Sequence, residues 1–579
     1  MTYQYTTEKN AQVVISLLKA HGIRYVIASP GNTNTALIGS IQRDPHFTIY
    51  SSVDERSAAY LACGLAAESG EPVVISCTGA TASRNYLSGL TEAFYRKLPI
   101  LAITSTQAVS KVGHLVAQVI DRSSIQNDVA RLSVTLPIVK DDDDLWDCEI
   151  KVNKAILELK RNGGGPVHIN LPTTYSKPYD ASSIPEYRVI NRILPADAHP
   201  VLVGRVAIFI GAHKTWSNDE VAAVERFSNT YDAPVFCDHT SGYVGGNRLL
   251  YALAAAQEMF DHSVMRPDVF IHIGEVSGDY ATAAMVGKQV WRVSEDGELR
   301  DSFRKLRYVF EMPEVCFFQH YAAQPTATRS GYFETCRDFL AQVRSKIPDV
   351  PLSNIWLASR MAHRIPAGAT VHFGILNSLR AWNFFELPPM VSSACNVGGF
   401  GIDGCVSSLI GASLANPNRL CYGVVGDLAF FYDMNVLGNR HINKNLRILL
   451  INNGTGIEFK NYNHHAAIFG EDADMFIAAS GHFGQRSRAL VKHYAEDLGF
   501  EYLSAATKEE FELSTERFLT STQTNCPMLL EVFTNPEDES RALKAVQTIE
   551  ENKTGQAKQL AKKILGQKGI DMLKKALRS

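Results

Sequence analysis

The 579-residue chain has no excess of either charge, with 57 Lys and Arg against 60 Asp and Glu and a formal net charge of -3. Proteins that grip a nucleic-acid backbone concentrate Lys and Arg on one face, so no nucleic-acid partner is expected. No run approaches the eighteen apolar residues of a membrane span; the longest, 98–104 and 446–452, have the length of buried strands. No membrane partner is expected either. The first residues lack the basic-then-apolar plan of a secretory signal, which predicts a cytoplasmic protein. The ten cysteines include no C-x-x-C pair and no Cys/His zinc spacing, so they read as reduced core thiols. What is present is a 45% hydrophobic content, enough for several packed domains.

Apolar, β-branched runs alternate with helical patterns and small-residue turns, as in RYVIASPG, PVVISCTGA, LPILAITS and GPVHINLP. This punctuation predicts an α/β fold of parallel sheets with helices on both faces. Three doubly wound blocks follow in order: 1–180, 200–345 and 352–545, with a proline-bearing linker over 173–200. A Lys-rich helical tail, 546–579, reads as a cap on its own domain, and the acidic run 141–144 as a solvated loop or helix start.

In the third block Gly399, Gly401 and Gly404 satisfy G-x-G-x-x-G between a strand and a helix, and the next strand ends in Asp427. That spacing suits a dinucleotide site and keeps a nicotinamide or flavin oxidoreductase open as a reading. The neighbours narrow the choice. Gly426-Asp427 starts a helix, and Asn452-Asn453 ends the following strand, with Asp427 and Asn453 26 residues apart. A hard divalent cation takes oxygen ligands, and an Asp carboxylate, an Asn amide oxygen and a nearby backbone carbonyl supply three.

This Gly-Asp to Asn-Asn spacing resembles the metal motif of thiamine diphosphate enzymes. In the first block, 29–34 (SPGNTN) and 51–66 (SSVDERSAAYLACGLA) resemble the pyrimidine-binding domain of the same superfamily. The resemblance extends through all three blocks, to the menaquinone-pathway SEPHCHC synthases, on SPG, DER, GIDG, GDL with YDMN, and NNGTGIEF. It implies a pyrimidine-binding, a central and a diphosphate-binding domain, with thiamine diphosphate and Mg2+ as cofactors. Glu55 would hydrogen-bond the pyrimidine and favour the imino tautomer that makes the thiazolium ylide; its bland alternative is an acid at a helix start. Asp427, Asn453 and the Thr455 carbonyl would hold magnesium. Pro30, Gly31, Thr78, Gly79, Gly374, Ser378, Gly399, Gly401, Leu428 and Ala429 would line the cofactor, with Ile402 as an apolar prop beneath it. Gln118 falls where a polar residue faces the reacting carbon. His464 and His465 would orient substrate or move protons. The central block is expected to be structural, without flavin.

The resemblance weakens at the substrate. The menaquinone-type enzymes carry Ser-Arg after SPG, where this chain has Asn32-Thr33, and further arginines where Val397 and Trp382 stand. Arginine forks recognise dicarboxylates, so 2-oxoglutarate and isochorismate are not the expected substrates. The expectation is a thiamine diphosphate- and Mg-dependent lyase or transferase that decarboxylates a 2-oxo acid. The acyl-anion equivalent then passes to a carbonyl or alkene acceptor, or leaves as an aldehyde. The family builds its active site between subunits, which implies a homodimer or homotetramer.

Overall fold

The computed structural model describes residues 4–122, 124–174, 179–324, 330–481, 487–561 and 564. The chain forms two compact units, 1–194 with 297–309, and 195–296 with 310–579.

The first unit carries a six-stranded parallel sheet of β1 (Tyr25–Ala28), β2 (Thr48–Ser51), β3 (Val73–Thr78), β4 (Ile100–Gln107), β5 (Leu132–Thr135) and β6 (Val167–Thr173), in the order β2-β1-β3-β4-β6-β5. Alternate residues feed opposite cores. Val74, Leu101 and Ile103 pack with Val14, Leu17 and Val152 on one face, while Ile75 and Ala102 pack with Ala58, Ala59 and Ala62 on the other. Each fully buried Val or Ile contributes about 1.5–3 kcal/mol, which is why strands covered on both faces are almost wholly apolar. The acidic run is a helix start: Asp141 accepts from the Asp143 and Asp144 amides, and Asp142–Glu158 is helical. Three carboxylates in that first turn suit its positive end.

The stretch read as a linker contains strand β7 (Asn191–Ile193), and residues 297–309 return to the first unit with the start of β13 (Leu306–Glu311). Asp301 fastens that return: its carboxylate, fully buried, accepts from Arg188 at 2.7 Å and from the Trp146 indole at 3.0 Å. Glu298 adds contacts with Arg161 at 2.8 Å and Lys154 at 3.0 Å.

In the second unit, β8 (Val206–Ile210), β9 (Val235–Cys237), β10 (Arg248–Leu250), β11 (Val269–Ile273) and β12 (Gln289–Ser294) run parallel in the order β10-β9-β8-β11-β12. The third sheet comprises β14 (Thr370–Phe373), β15 (Ser392–Cys395), β16 (Cys421–Gly426), β17 (Leu446–Asn452), β18 (Glu501–Ala505) and β19 (Met528–Phe533), in the order β15-β14-β16-β17-β19-β18. The fold is α/β with three parallel sheets, as the alternating pattern predicts.

The tail begins as a cap on its own unit. Gln257 accepts from the Ile549 and Glu550 amides at 2.9 Å, and Lys558 meets Asp261 at 2.7 Å. Residues 553–561 are helical, and most of the rest of the tail lies outside the described residues. Among the described residues no helix is long and apolar enough to cross a membrane. All ten cysteines are unpaired, seven are buried, Cys395 and Cys526 are half-buried, and Cys316 is exposed.

Candidate functional site

In an open parallel sheet, ligands settle outside the carboxyl ends of the strands, where the strand order reverses. The first sheet reverses between β1 and β3. There the loop after β1 presses on the end of β3: a Cβ added to Gly31 would lie 2.7 Å from the Thr78 Cβ, so no side chain fits. The Thr33 hydroxyl pairs with that of Thr78 and donates to the Ser105 carbonyl at 2.7 Å. Gly79 is less tightly held, with Ser105 O 3.1 Å from an added Cβ. Gly31, Thr78 and Gly79 therefore meet at this crevice, with Pro30 preceding Gly31 in the same loop.

Glu55 opens helix Glu55–Ser69, behind an Asp54 cap that accepts from the Ser57 amide at 3.2 Å. Half-buried, its carboxylate accepts from Asn85 Nδ2 at 3.1 Å. Beneath lies Tyr86, fully buried; burial first, then the neighbouring Cys77 and the Glu55 charge, hold its phenol well above the ordinary range. Gln118 stands apart, exposed on a loop where Leu115 and Gln118 have φ of 57° and 64°. The sequence gives no sign of Arg122. It is buried, with its Nη2 bonded to Asn170 and 3.4 Å from an added Gly79 Cβ, and burial lowers its guanidinium to about 10.

The third sheet reverses between β14 and β16, and the loops after β14, β16 and β17 carry Gly374, Asp427, and Asn453 with Thr455. The Gly374 amide, just past β14, donates to Val424 O at 2.7 Å, and an added Cβ would meet that oxygen at 3.3 Å and Ser378 Oγ at 3.6 Å. Asp427, buried at the start of helix Asp427–Asp433, accepts from the Leu428 amide at 2.7 Å and from the Gly454 amide at 2.5 Å. That second bond draws the loop after β17 against the end of β16. Gly454 has a φ of 76°, a left-handed backbone that an L side chain resists. Asn453 and Thr455 are thereby set on either side of the bond, with Asn453 Oδ1 accepting from the Thr455 amide at 3.2 Å. Thr455 Oγ1 is anchored in turn by Ala478 O at 3.0 Å and by Ser480 at 2.6 Å.

This donor set consists of hard oxygens in a sheet crevice and fits a small divalent cation that also binds phosphate. Among the described residues no group of three His, Cys, Asp or Glu could hold a metal by itself. Gly399 leaves open space around an added Cβ, whereas Gly401 would meet only the nearby Asp403 side chain. Ile402 is half-buried and packs on the core formed by Leu409, Val425 and Leu450. Leu428 Cδ1 lies 3.4 Å from an added Gly456 Cβ, and Ala429 is buried in that core.

The two histidines separate. His465 is exposed, whereas His464 is half-buried, accepts from the Ala466 amide at 3.1 Å and lines a cavity of about 440 Å³ in the second unit. Asp279, Arg380, Glu458 and Glu539 line the same cavity, and the sequence reading picked out none of them. Burial is the main cause raising the Glu539 carboxyl to about 7 and that of Asp279 to about 6. A run such as 536-PEDE-539 marks a helix start and nothing more.

Residues 8–126 match the thiamine pyrophosphate enzyme, N-terminal TPP binding domain family. Over 93% of its length the chain is similar to the 2-succinyl-5-enolpyruvyl-6-hydroxy-3-cyclohexene-1-carboxylate synthases of Bacteroides fragilis and Phocaeicola vulgatus, at 29% identity and 98% of each relative. The synthase of the same name from Flavobacterium johnsoniae is 26% identical, over 90% of this chain and 96% of the relative. The chain is accordingly a relative of thiamine diphosphate-dependent enzymes, with the TPP-binding domain of that family at its front.

Proposed function

We propose that the protein is a thiamine diphosphate- and Mg2+-dependent carboligase that decarboxylates a 2-oxo acid and passes the acyl unit to an acceptor. The observation that carries the reading is the Asp427–Gly454 bond, which ties the loop after β17, bearing Asn453 and Thr455, to Asp427 just past β16. Their oxygens, with the Thr455 carbonyl, would take the metal. Backbone amides around Gly374 and Gly399 would face the diphosphate, where absent side chains allow close approach. Ile402 would support the ring system from below.

When bound, thiamine diphosphate supplies the nucleophilic carbon and electron sink that decarboxylation of a 2-oxo acid requires. The chain contributes position and proton control. Glu55, fixed by Asn85 Nδ2, would hold the proton exchanged with the pyrimidine ring. His464 would orient the substrate from the cavity side. A second copy of the chain would complete the site, as a dimer or tetramer. Asn32-Thr33, Val397 and Trp382 take the places of the arginines expected of a dicarboxylate-specific enzyme, so the donor differs from 2-oxoglutarate.

The test is calorimetry of thiamine diphosphate with and without MgCl2, followed by a 2-oxo acid panel scored for carbon dioxide release with and without aldehydes. Metal-dependent binding lost in Asp427→Asn, and carbon dioxide release lost in Glu55→Gln, are the expected results. Binding indifferent to both metal and Asp427 would overturn the reading.

A further inference from the structure

The 440 Å³ cavity borders the proposed cofactor loops: Asn377 precedes Ser378, and Ile457 and Glu458 follow Thr455 closely. Its volume falls in the range of small-molecule sites. Apolar walls come from side chains such as Ala252, Ala255, Ile355 and Leu543, and polar groups converge on the space they enclose.

Three of those polar groups are buried with no hydrogen-bond partner: Arg380 Nε, Glu458 Oε2 and Asn383 Nδ2. Leaving a buried polar atom unsatisfied is costly, so two donors and an acceptor orphaned in one cavity mark where a ligand supplies the missing partners. Asn383 is only 1% exposed, and its Oδ1 is already engaged by the His239 amide at 3.0 Å. Its NH2 is therefore the end left for a ligand.

The charges decide the ligand class. Arg380 is the one Lys or Arg among the lining residues, and Glu458 holds its Nη1 at 2.5 Å while the Tyr280 ring lies 4.6 Å beneath the guanidinium. The two other acids are also answered. Asp279 accepts from the Ala281 and Thr282 amides and the Thr282 hydroxyl, and Glu539 from the Asn354 amide and the Thr534 hydroxyl. A carboxylate entering would find its one Arg already paired and three carboxyl groups, against a single imidazole, His464. A cation at the open Glu458 Oε2 would lie against the Arg380 guanidinium that the same carboxylate already pairs with.

We infer that this cavity binds an uncharged molecule carrying both carbonyl and hydroxyl groups, and that Glu458 sets this preference by occupying Arg380. A ligand carbonyl would accept from Arg380 Nε and Asn383 Nδ2, and a hydroxyl would donate to Glu458 Oε2. On the carboligase reading this ligand would be the acyl acceptor; that role rests on the reading, whereas the binding preference stands without it.

The test measures binding of 2-hydroxycyclohexanone, succinate and putrescine to the full chain by calorimetry, each with and without thiamine diphosphate and MgCl2. Wild type should bind the hydroxyketone more tightly than either charged probe. Glu458→Gln should free Arg380 and raise succinate affinity about tenfold or more, the scale of a charge-assisted hydrogen bond, and the Arg380→Gln/Glu458→Gln double variant should lose that gain. Stronger binding of succinate or putrescine to wild type would overturn the inference, as would unchanged succinate affinity in Glu458→Gln. The wild-type ranking needs no variant to fold. Failure to bind thiamine diphosphate would sink the carboligase reading while leaving the probe ranking intact.

Discussion

Glu539 offers the sharpest quantitative test. It is 6% exposed in helix Pro536–Gln547 and accepts from the Asn354 amide at 3.0 and 3.1 Å and from the Thr534 hydroxyl at 2.7 Å. Burial is the largest influence and raises the carboxyl; the Thr534 and Asn354 bonds lower it, and the charges of Asp427 and Asp538 raise it again, giving about 7 against an ordinary 4.5. Between those values the folded chain holds a proton that the unfolded chain has released, so stability falls as pH rises. The penalty is absent below about pH 4.5 and complete above about pH 7, where it amounts to about 3 kcal/mol. Glu539→Gln keeps an oxygen for Asn354 and Thr534 but carries no charge. Its own cost, one acceptor exchanged for an NH2, is constant with pH. In urea unfolding from pH 4.5 to pH 9, the stability of wild type minus that of the variant should fall by about 3 kcal/mol, because the other titrating groups largely cancel. A difference that stays within about 0.5 kcal/mol across that range would show that the buried carboxyl does not hold its proton and would refute the reasoning.

Three other outcomes follow from close contacts. Gly31→Ala drives a methyl to 2.7 Å from the Thr78 Cβ and should cost about 1–3 kcal/mol of overpacking, read as a lowered melting temperature of the first unit. Gly454→Ala forces a side chain onto a φ of 76°, costing about 1–2 kcal/mol, and should weaken metal-dependent thiamine diphosphate binding in calorimetry more than it lowers the melting temperature. Thr33→Val removes the hydroxyl shared by Thr78 and the Ser105 carbonyl and should destabilise by about 1–3 kcal/mol in urea unfolding, with Thr33→Ser largely retaining the contacts.

The part of the site visible in the sequence is the part whose residues are close in the chain or stand at the ends of neighbouring strands. Asp427 follows β16 and Asn453 follows β17, its direct neighbour in the sheet, so residues 26 apart in the chain stand at adjacent strand ends. Gly31 and Thr78 meet for a similar reason, since β1 and β3 pair in register, although the sequence singled them out only by family resemblance. The three sheets were legible from β-branched runs punctuated by small residues. Other features needed the tertiary structure. Arg380, Glu458, Asp279 and Glu539 share a cavity because segments from 252–284, 354–384, 457–464 and 539–547 approach one another, and no periodicity encodes that approach. Asp301, fastened by Arg188 and Trp146, shows the same limit at a boundary: nothing local marks 297–309 as part of the first unit.

The distribution of thiols has a practical consequence. Seven of the ten cysteines are buried, and burial pushes those of Cys63 and Cys237 to about 11 and of Cys77 to about 12, so they hold little thiolate near neutrality. Cys316, in helix Glu314–Ala322, is the one exposed thiol. A brief maleimide treatment of the native protein should therefore place one tag on each chain, ahead of the half-buried Cys395 and Cys526. Tag counting in single assemblies then reads the number of subunits directly, without a mutation anywhere near the site.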